Sequence, residues 1–209
     1  MIHRYRTRIL AISIALLFAQ LTLAQSNYTF QSKNVAVIAE DNFSKGGSSD
    51  VWGIRIAGTP NRHYALSTLG GGLSIALVNG TSPAYYNEVA YVNDDDYYDP
   101  FNPVNIGVAD VETFEVNNTT YAALAIANKN ANPVVYIVNV DSAIALGQTA
   151  QDHFVPVSSV QTATIPNLDL GTAQAHTITI ADNILYIATQ THDIDVWSLW
   201  NPTAPIHKG

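Results

Sequence analysis

From Asp50 onward the chain alternates between apolar and polar positions. "VWGIRIAG", "DVETFEVN" and "AHTITIAD" place apolar side chains at about every second residue, the period of a half-buried β-strand. Each is followed by a turn and a Tyr-containing apolar run: "HYALST", "TYAALAI" and "LYIATQ". A third run follows in each case: "GLSIALVNGTSP", "PVVYIVNVDS" and "DIDVWSLWNPTAP". The first two copies continue into a fourth, "NEVAYV" and "SVQTATI". No segment of this region sustains a helical period, and "DSAIALGQTAQ" allows one or two turns at most. The pattern predicts an all-β chain.

It also predicts an internal repeat. Tyr64, Tyr121 and Tyr186 mark corresponding runs and lie 57 and 65 residues apart. A propeller blade takes roughly 40–50 residues, so both intervals are long. The excess falls in two insertions, "VNDDDYYDPFNPVNIG" and "DSAIALGQTAQDHFVP". What remains is three strand groups, at about 50–92, 109–165 and 174–209. Repeated hairpin-connected groups of up to four antiparallel strands predict a β-propeller with about three blades present, an incomplete ring. A β-sandwich is the alternative, but a sandwich has no reason to repeat. "KNVAVIA", Lys33 to Ala39, has the place and pattern of a closing strand, and the third group is expected to lack its outer strand.

The first 24 residues have a different character. Arg4, Arg6 and Arg8 precede the apolar run "ILAISIALLFAQLTLA", which ends with Thr22 and Ala24 at the positions that a signal peptidase reads. Residues 1–24 are therefore expected to be a signal peptide, and the mature protein to be secreted or held at the cell surface. No later stretch is apolar and long enough to span a bilayer as a helix, so no membrane insertion is expected after cleavage.

Charge narrows the partners. Nine Lys and Arg stand against 17 Asp and Glu, a formal net charge of −8, and three of the bases leave with the leader. Nucleic acid needs clustered positive charge and is excluded as an expected partner. The chain has no cysteine, which removes disulfides, thiol catalysis and cysteine-held zinc from consideration.

The first copy, "NVAVIAEDNFSKGGSSDVWGI…HYALSTLGGGLSIALVNGTSP", resembles the opening of the choice-of-anchor B family. "DVETFEVNNTTYAALAIAN…VVYIVNV" is similar to an LVIVD repeat, the β-propeller repeat of the same group. "AHTITIADNILYIA" resembles that family's next inner strand. The resemblance runs from about Asn34 to the last residue and implies a propeller more firmly than any activity. Three departures stand out. Asn79 and Asn201 replace the aspartate of the family's D-x-S/T-x-P turn, the Asp-rich insertion is unusually polar, and three blades fall short of the closed ring that the family implies.

Candidate chemistry is sparse. An EF-hand started at Asp94 would put Tyr98 at its third ligand position and Asn105 at its twelfth, so that motif is absent. Asp94, Asp96 and Asp99 could form a looser site, but a solvated loop is the expected state, and no metal or cofactor is expected. On the inner strands, counting back four from Ile56, Val116 and Ile180 reaches Trp52, Glu112 and His176. The repeat predicts these three on one face at one level, with Asp50, Asp110 and Gln174 two residues earlier. They are the candidate binding residues at the channel mouth; alternatively His176 hydrogen-bonds a neighbouring backbone and packs the ring.

Neither G-x-S-x-G nor H-E-x-x-H occurs. His192 and Asp193 are adjacent on a strand and point to opposite faces. "TLGGGLS" reads as a hairpin turn, and the Asn-x-Ser/Thr triplets at Asn27, Asn42, Asn79, Asn117 and Asn118 read as turn chemistry. The expected function is that of an exported, non-catalytic module binding an extracellular protein or glycan. The alternative is a carbohydrate-active propeller enzyme with acidic residues at the channel mouth.

Overall fold

The computed structural model describes residues 48–56, 62–69, 71–78, 86–94, 106–126, 133–166, 175–189 and 194–209. Every described residue belongs to one compact unit, Ile38–Gly209. The leader, the closing strand expected at 33–39 and the acidic insertion from Asp95 to Asn105 lie outside the described residues.

The described part is all-β in plan, with three sheets, each built around four antiparallel strands in chain order. The first contains β1 (Ser48–Arg55), β2 (His63–Leu69), β3 (Gly72–Val78) and β4 (Tyr86–Asn93), each paired with the next. The second contains β5 (Val108–Val116), β6 (Thr119–Ile126), β7 (Pro133–Asn139) and β9 (Gln161–Pro166). The third contains β10 (Ala175–Ala181), β11 (Ile184–Thr189), β12 (Ile194–Ser198) and β13 (Ile206–His207).

Turn chemistry explains the hairpins. Asn117 and Asn118 take φ of 53° and 62°, and Asp182 and Asn183 take 51° and 58°. Two consecutive left-handed residues make the turn whose twist matches paired strands, and Asn and Asp tolerate that region best after glycine. Gly71, with φ of 81°, plays the same part in the turn that leads into Gly72, the partner of Leu69.

The second sheet is the middle layer, and β6 shows why its sequence is a continuous apolar run. Ala122 and Leu124 belong to a core with Leu66, Leu73, Ile75 and Val111. Ala123 and Ala125 belong to a separate core with Ile178, Leu185, Ile187 and Trp197. A strand buried on both faces does not alternate. Each fully buried Leu or Ile in these layers contributes about 1.5–3 kcal/mol.

Two features differ from the strand pattern. The insertion after β7 is a strap: α1 (Val140–Gly147), a 3-10 turn (Gln151–His153), β8 (Phe154–Pro156) and α2 (Val157–Val160). Asn139 caps α1 by accepting the Ser142 N–H. Strand β8 then pairs in parallel with β4, through Tyr91↔Phe154 and Val92↔Val155, so chain from the second sheet adds a strand to the first. The third sheet, expected to lack an outer strand, has a short one: β13 pairs with β12 through Trp197↔His207 and Ser198↔Ile206. In the connection between β12 and β13 the side-chain oxygen of Asn201 accepts both the Thr203 N–H and the Thr203 hydroxyl, closing a turn.

Candidate functional site

The first strand of each sheet, β1, β5 and β10, begins with a register shift. The irregularities fall between Ser48 and Val51, between Val108 and Asp110, and between Ala175 and Thr177. A bulge turns backbone groups out of the ladder, so they need other partners. In β1 the partner is Thr68, which is almost fully buried. Its Oγ1 accepts the N–H of Ser49 at 3.0 Å and of Asp50 at 2.7 Å, and the two hydroxyls of Ser49 and Thr68 are 2.7 Å apart. The Ser49 hydroxyl also reaches the carbonyl of Ala109 in the next sheet at 2.7 Å.

Held this way, Asp50 reaches across to β5, where its Oδ2 accepts the Val111 N–H at 3.1 Å. The second sheet repeats the move on the third. Asp110 Oδ2 accepts the Ile178 N–H at 2.7 Å, and Glu112 Oε2 accepts the Ile180 N–H at 2.6 Å. Carboxylates on the first strand of one sheet thus clasp backbone amides on the first strand of the next. An ionised carboxylate strengthens a bond of this kind, but two carboxylates brought to one donor also repel each other.

Asp50 and Asp110 meet at the same donor, because Asp110 Oδ1 also accepts the Val111 N–H, at 2.9 Å. The pKa of Asp110 rises from 3.8 to about 6. Burial is the main cause; Asp50 adds to it through hydrogen bonding and like charge, while the amides of Ile178 and Val111 pull the other way. A cleft of about 340 Å³ opens here, lined by Ser49, Asp50, Ala109, Asp110 and Thr177. A second cleft, of about 350 Å³, is lined by Ala150, Gln151, Asp152 and Phe154. Among the described residues it gathers a single carboxylate, whereas the first brings two together, so the first is the candidate site.

The row of Trp52, Glu112 and His176 comes together only in part. Trp52 pairs with Leu66 and Glu112 with Ala123, so each faces the sheet that follows. The clasps set the inter-sheet register: Asp50 on Val111 and Asp110 on Ile178 make Asp50, Asp110 and Thr177 equivalent, and Trp52, Glu112 and Thr179 equivalent. His176 falls in the bulge of β10, level with Ala109, and does not complete the row. Counting from the strand end misplaces it because the hairpin arms differ in length. Val116 closes its hairpin five residues after Val111, whereas Ala181 closes its own three residues after Ile178.

Gln174 and Asp95 to Asp99 lie outside the described residues, and so does the side chain of His176. Asp94 is described at the edge of the acidic insertion, with its N–H donated to Asn93 Oδ1 at 2.8 Å. Among the described residues no three His, Asp or Glu side chains are grouped to hold a metal ion, and no helix is long and apolar enough to cross a membrane. Ser49 and Thr68 were not singled out by sequence reasoning. Neither belongs to a motif, and their importance arises only from the bulge. Comparison with family models, curated proteins and solved structures returns no match to this chain.

Proposed function

We propose that this chain is an exported, non-catalytic binding module of the β-propeller type, similar to LVIVD-repeat and choice-of-anchor B proteins. Its ligand is an extracellular protein or glycan, met at the end of the inner strands where Asp50, Asp110 and Thr177 line the cleft beside Trp52. The observation that carries this reading is the repeated clasp. Successive sheets are joined through their first strands, and the joint opens a cleft at one end of those strands, lined by two carboxylates and two hydroxyls. Trp52 is 39% exposed and offers an aromatic surface on the same strand as Asp50.

One observation favours a second reading, a carbohydrate-active enzyme: Asp110 has the raised pKa of a general acid and a carboxylate neighbour. The geometry weighs against it. Glycosidase carboxyls stand about 5–5.5 Å apart or further, with sugar or water between them. Here both carboxylates bond to one N–H and are occupied with backbone amides.

Affinity electrophoresis on a set of soluble polysaccharides, run beside a reducing-end assay on the same substrates, tests the two readings together. The module reading expects retardation by a glycan, weakened in Trp52→Ala, and no release of reducing ends. Reducing-end release abolished by Asp110→Asn would establish the enzyme instead. If no glycan retards the protein, the ligand is sought among proteins.

A further inference from the structure

We propose that Asp50 and Asp110 form a proton-operated joint: one shared proton holds the inner strands of the three sheets together, and its loss loosens the joint. The proposal concerns the cohesion of the fold and stands whether or not the cleft binds a ligand.

The geometry comes first. Two carboxylates from different sheets accept the same Val111 N–H, at 3.1 and 2.9 Å, so a single donor serves two acceptors. A carboxylate pair so close cannot comfortably carry two charges; one proton between them turns repulsion into a hydrogen bond. The pair also sits where cohesion is decided. Asp50 ties β1 to β5, and Asp110 ties β5 to β10 through the 2.7 Å bond from Ile178. The upward displacement of Asp110's pKa to about 6 agrees with a proton kept through the mildly acidic range and released on the way to neutrality.

Among the described residues the surroundings supply little counter-charge. On β1 the other ionisable side chain is Arg55, at the far end of the strand, paired with His63. On β2, His63 and Tyr64 lie at that same far end, while the residue beside Asp50 is Thr68. On β6 the residue opposite Asp110 is Ala125, and Tyr121 pairs with Phe114 further along. On β5 itself, Glu112 is engaged with Ile180 and Glu115 lies opposite Thr120. On β10 the group at this level is the Thr177 hydroxyl, with His176 as its sequence neighbour.

The direction of the pH effect follows from linkage. A carboxyl whose pKa is higher in the folded state binds its proton more tightly there. Its contribution is complete below the ordinary value of 3.8 and is lost as pH rises through about 6. This is opposite in sign to an ordinary salt-bridged aspartate, which gains as pH rises.

The test compares thermal unfolding of the wild type with Asp110→Asn and Asp50→Asn between pH 4 and pH 8, with amide exchange at Ile178 measured at each pH. In Asp110→Asn the amide oxygen still accepts from Ile178 and its NH₂ can donate to Asp50, so the joint is held without titration. The expected result is equal midpoints at pH 4 and a higher midpoint for the variant at pH 8. At pH 8 the Ile178 amide should exchange about tenfold faster in the wild type than in the variant. Asp50→Asn removes the same repulsion and should show the same crossing, which keeps the test decisive if one variant fails to fold. His176→Gln should leave the wild-type pH profile unchanged. Parallel curves for wild type and both Asn variants, or a pH step that disappears with His176→Gln, would overturn the proposal.

Discussion

The hydroxyl of Thr68 accepts the N–H of Asp50 at 2.7 Å across the first hairpin, and accepts that of Ser49 at 3.0 Å. One side chain therefore satisfies the two amides that the β1 bulge removes from the ladder, and aims Asp50 at the neighbouring sheet. Aiming and satisfaction are the same act.

Thr68→Val keeps the shape and removes the oxygen. Two partly buried amides lose their acceptor, each costing about 1–3 kcal/mol when left unsatisfied, with water offsetting part of the loss at Asp50. Urea unfolding should show a fall in midpoint of that order, and Thr68→Ser should recover most of it. A Val variant as stable as the wild type would mean that water or another side chain caps the bulge.

Gly147 ends α1 against β4. A Cβ there would meet the Val89 carbonyl and lie 2.6 Å from the Ala90 Cβ. In an open helix Gly→Ala stabilises by about 1 kcal/mol. Here the sign should reverse: Gly147→Ala is expected to destabilise by about 1–3 kcal/mol, the usual cost of overpacking. Calorimetric melting reads this directly. A stabilised Ala variant would mean that the helix stands off the sheet.

Asn93 closes the base of the acidic insertion. Fully buried, it accepts the N–H of Asp94 at 2.8 Å and of Ile106 at 3.0 Å, and donates to the Tyr91 hydroxyl at 2.9 Å. Tyr91 in turn donates to the Leu69 carbonyl at 3.0 Å. Asn93→Ala should cost about 2–3 kcal/mol, since three polar groups lose a partner in a dry site. Hydrogen exchange should show Ile106 losing protection while Ile137, in the second sheet, keeps its own. Equal loss at both positions would mean that the network supports the whole fold rather than the base of the insertion.

The outward face of the third sheet exposes Ile194 at 60% and Ile206 at 57%, beside a half-open Tyr186. Apolar faces of this kind associate. Light scattering at micromolar concentration should show self-association that rises with concentration and falls in Tyr186→Ser/Ile194→Thr. A wild-type protein that stays monodisperse would show that this face is too small or too interrupted to pair.

The local elements were legible in the sequence for a physical reason. Alternation at period two and paired Asn or Asp turns depend on a few adjacent residues, so "DVETFEVNNTTYAALAI" specifies β5, the Asn117–Asn118 turn and β6 without reference to anything distant. The apolar run "TYAALAI" marked β6 as a strand; that both its faces are buried came only with the sheets docked on either side. The fold's class followed from these signals.

Tertiary structure decided what depends on lengths and registers between distant segments. His176 missed the row of Trp52 and Glu112 because a bulge and a shorter hairpin arm shift β10, and neither leaves a periodic trace. The strap looked like surplus chain until β8 paired with β4 more than sixty residues upstream. The last nine residues carry almost no strand pattern, yet β12 offered a free edge and His207 and Ile206 took it. The convergence of Asp50 and Asp110 on one amide required two sheets to dock first. Turns and alternation are written residue by residue; the joint between sheets exists only once the backbones of both have been brought together.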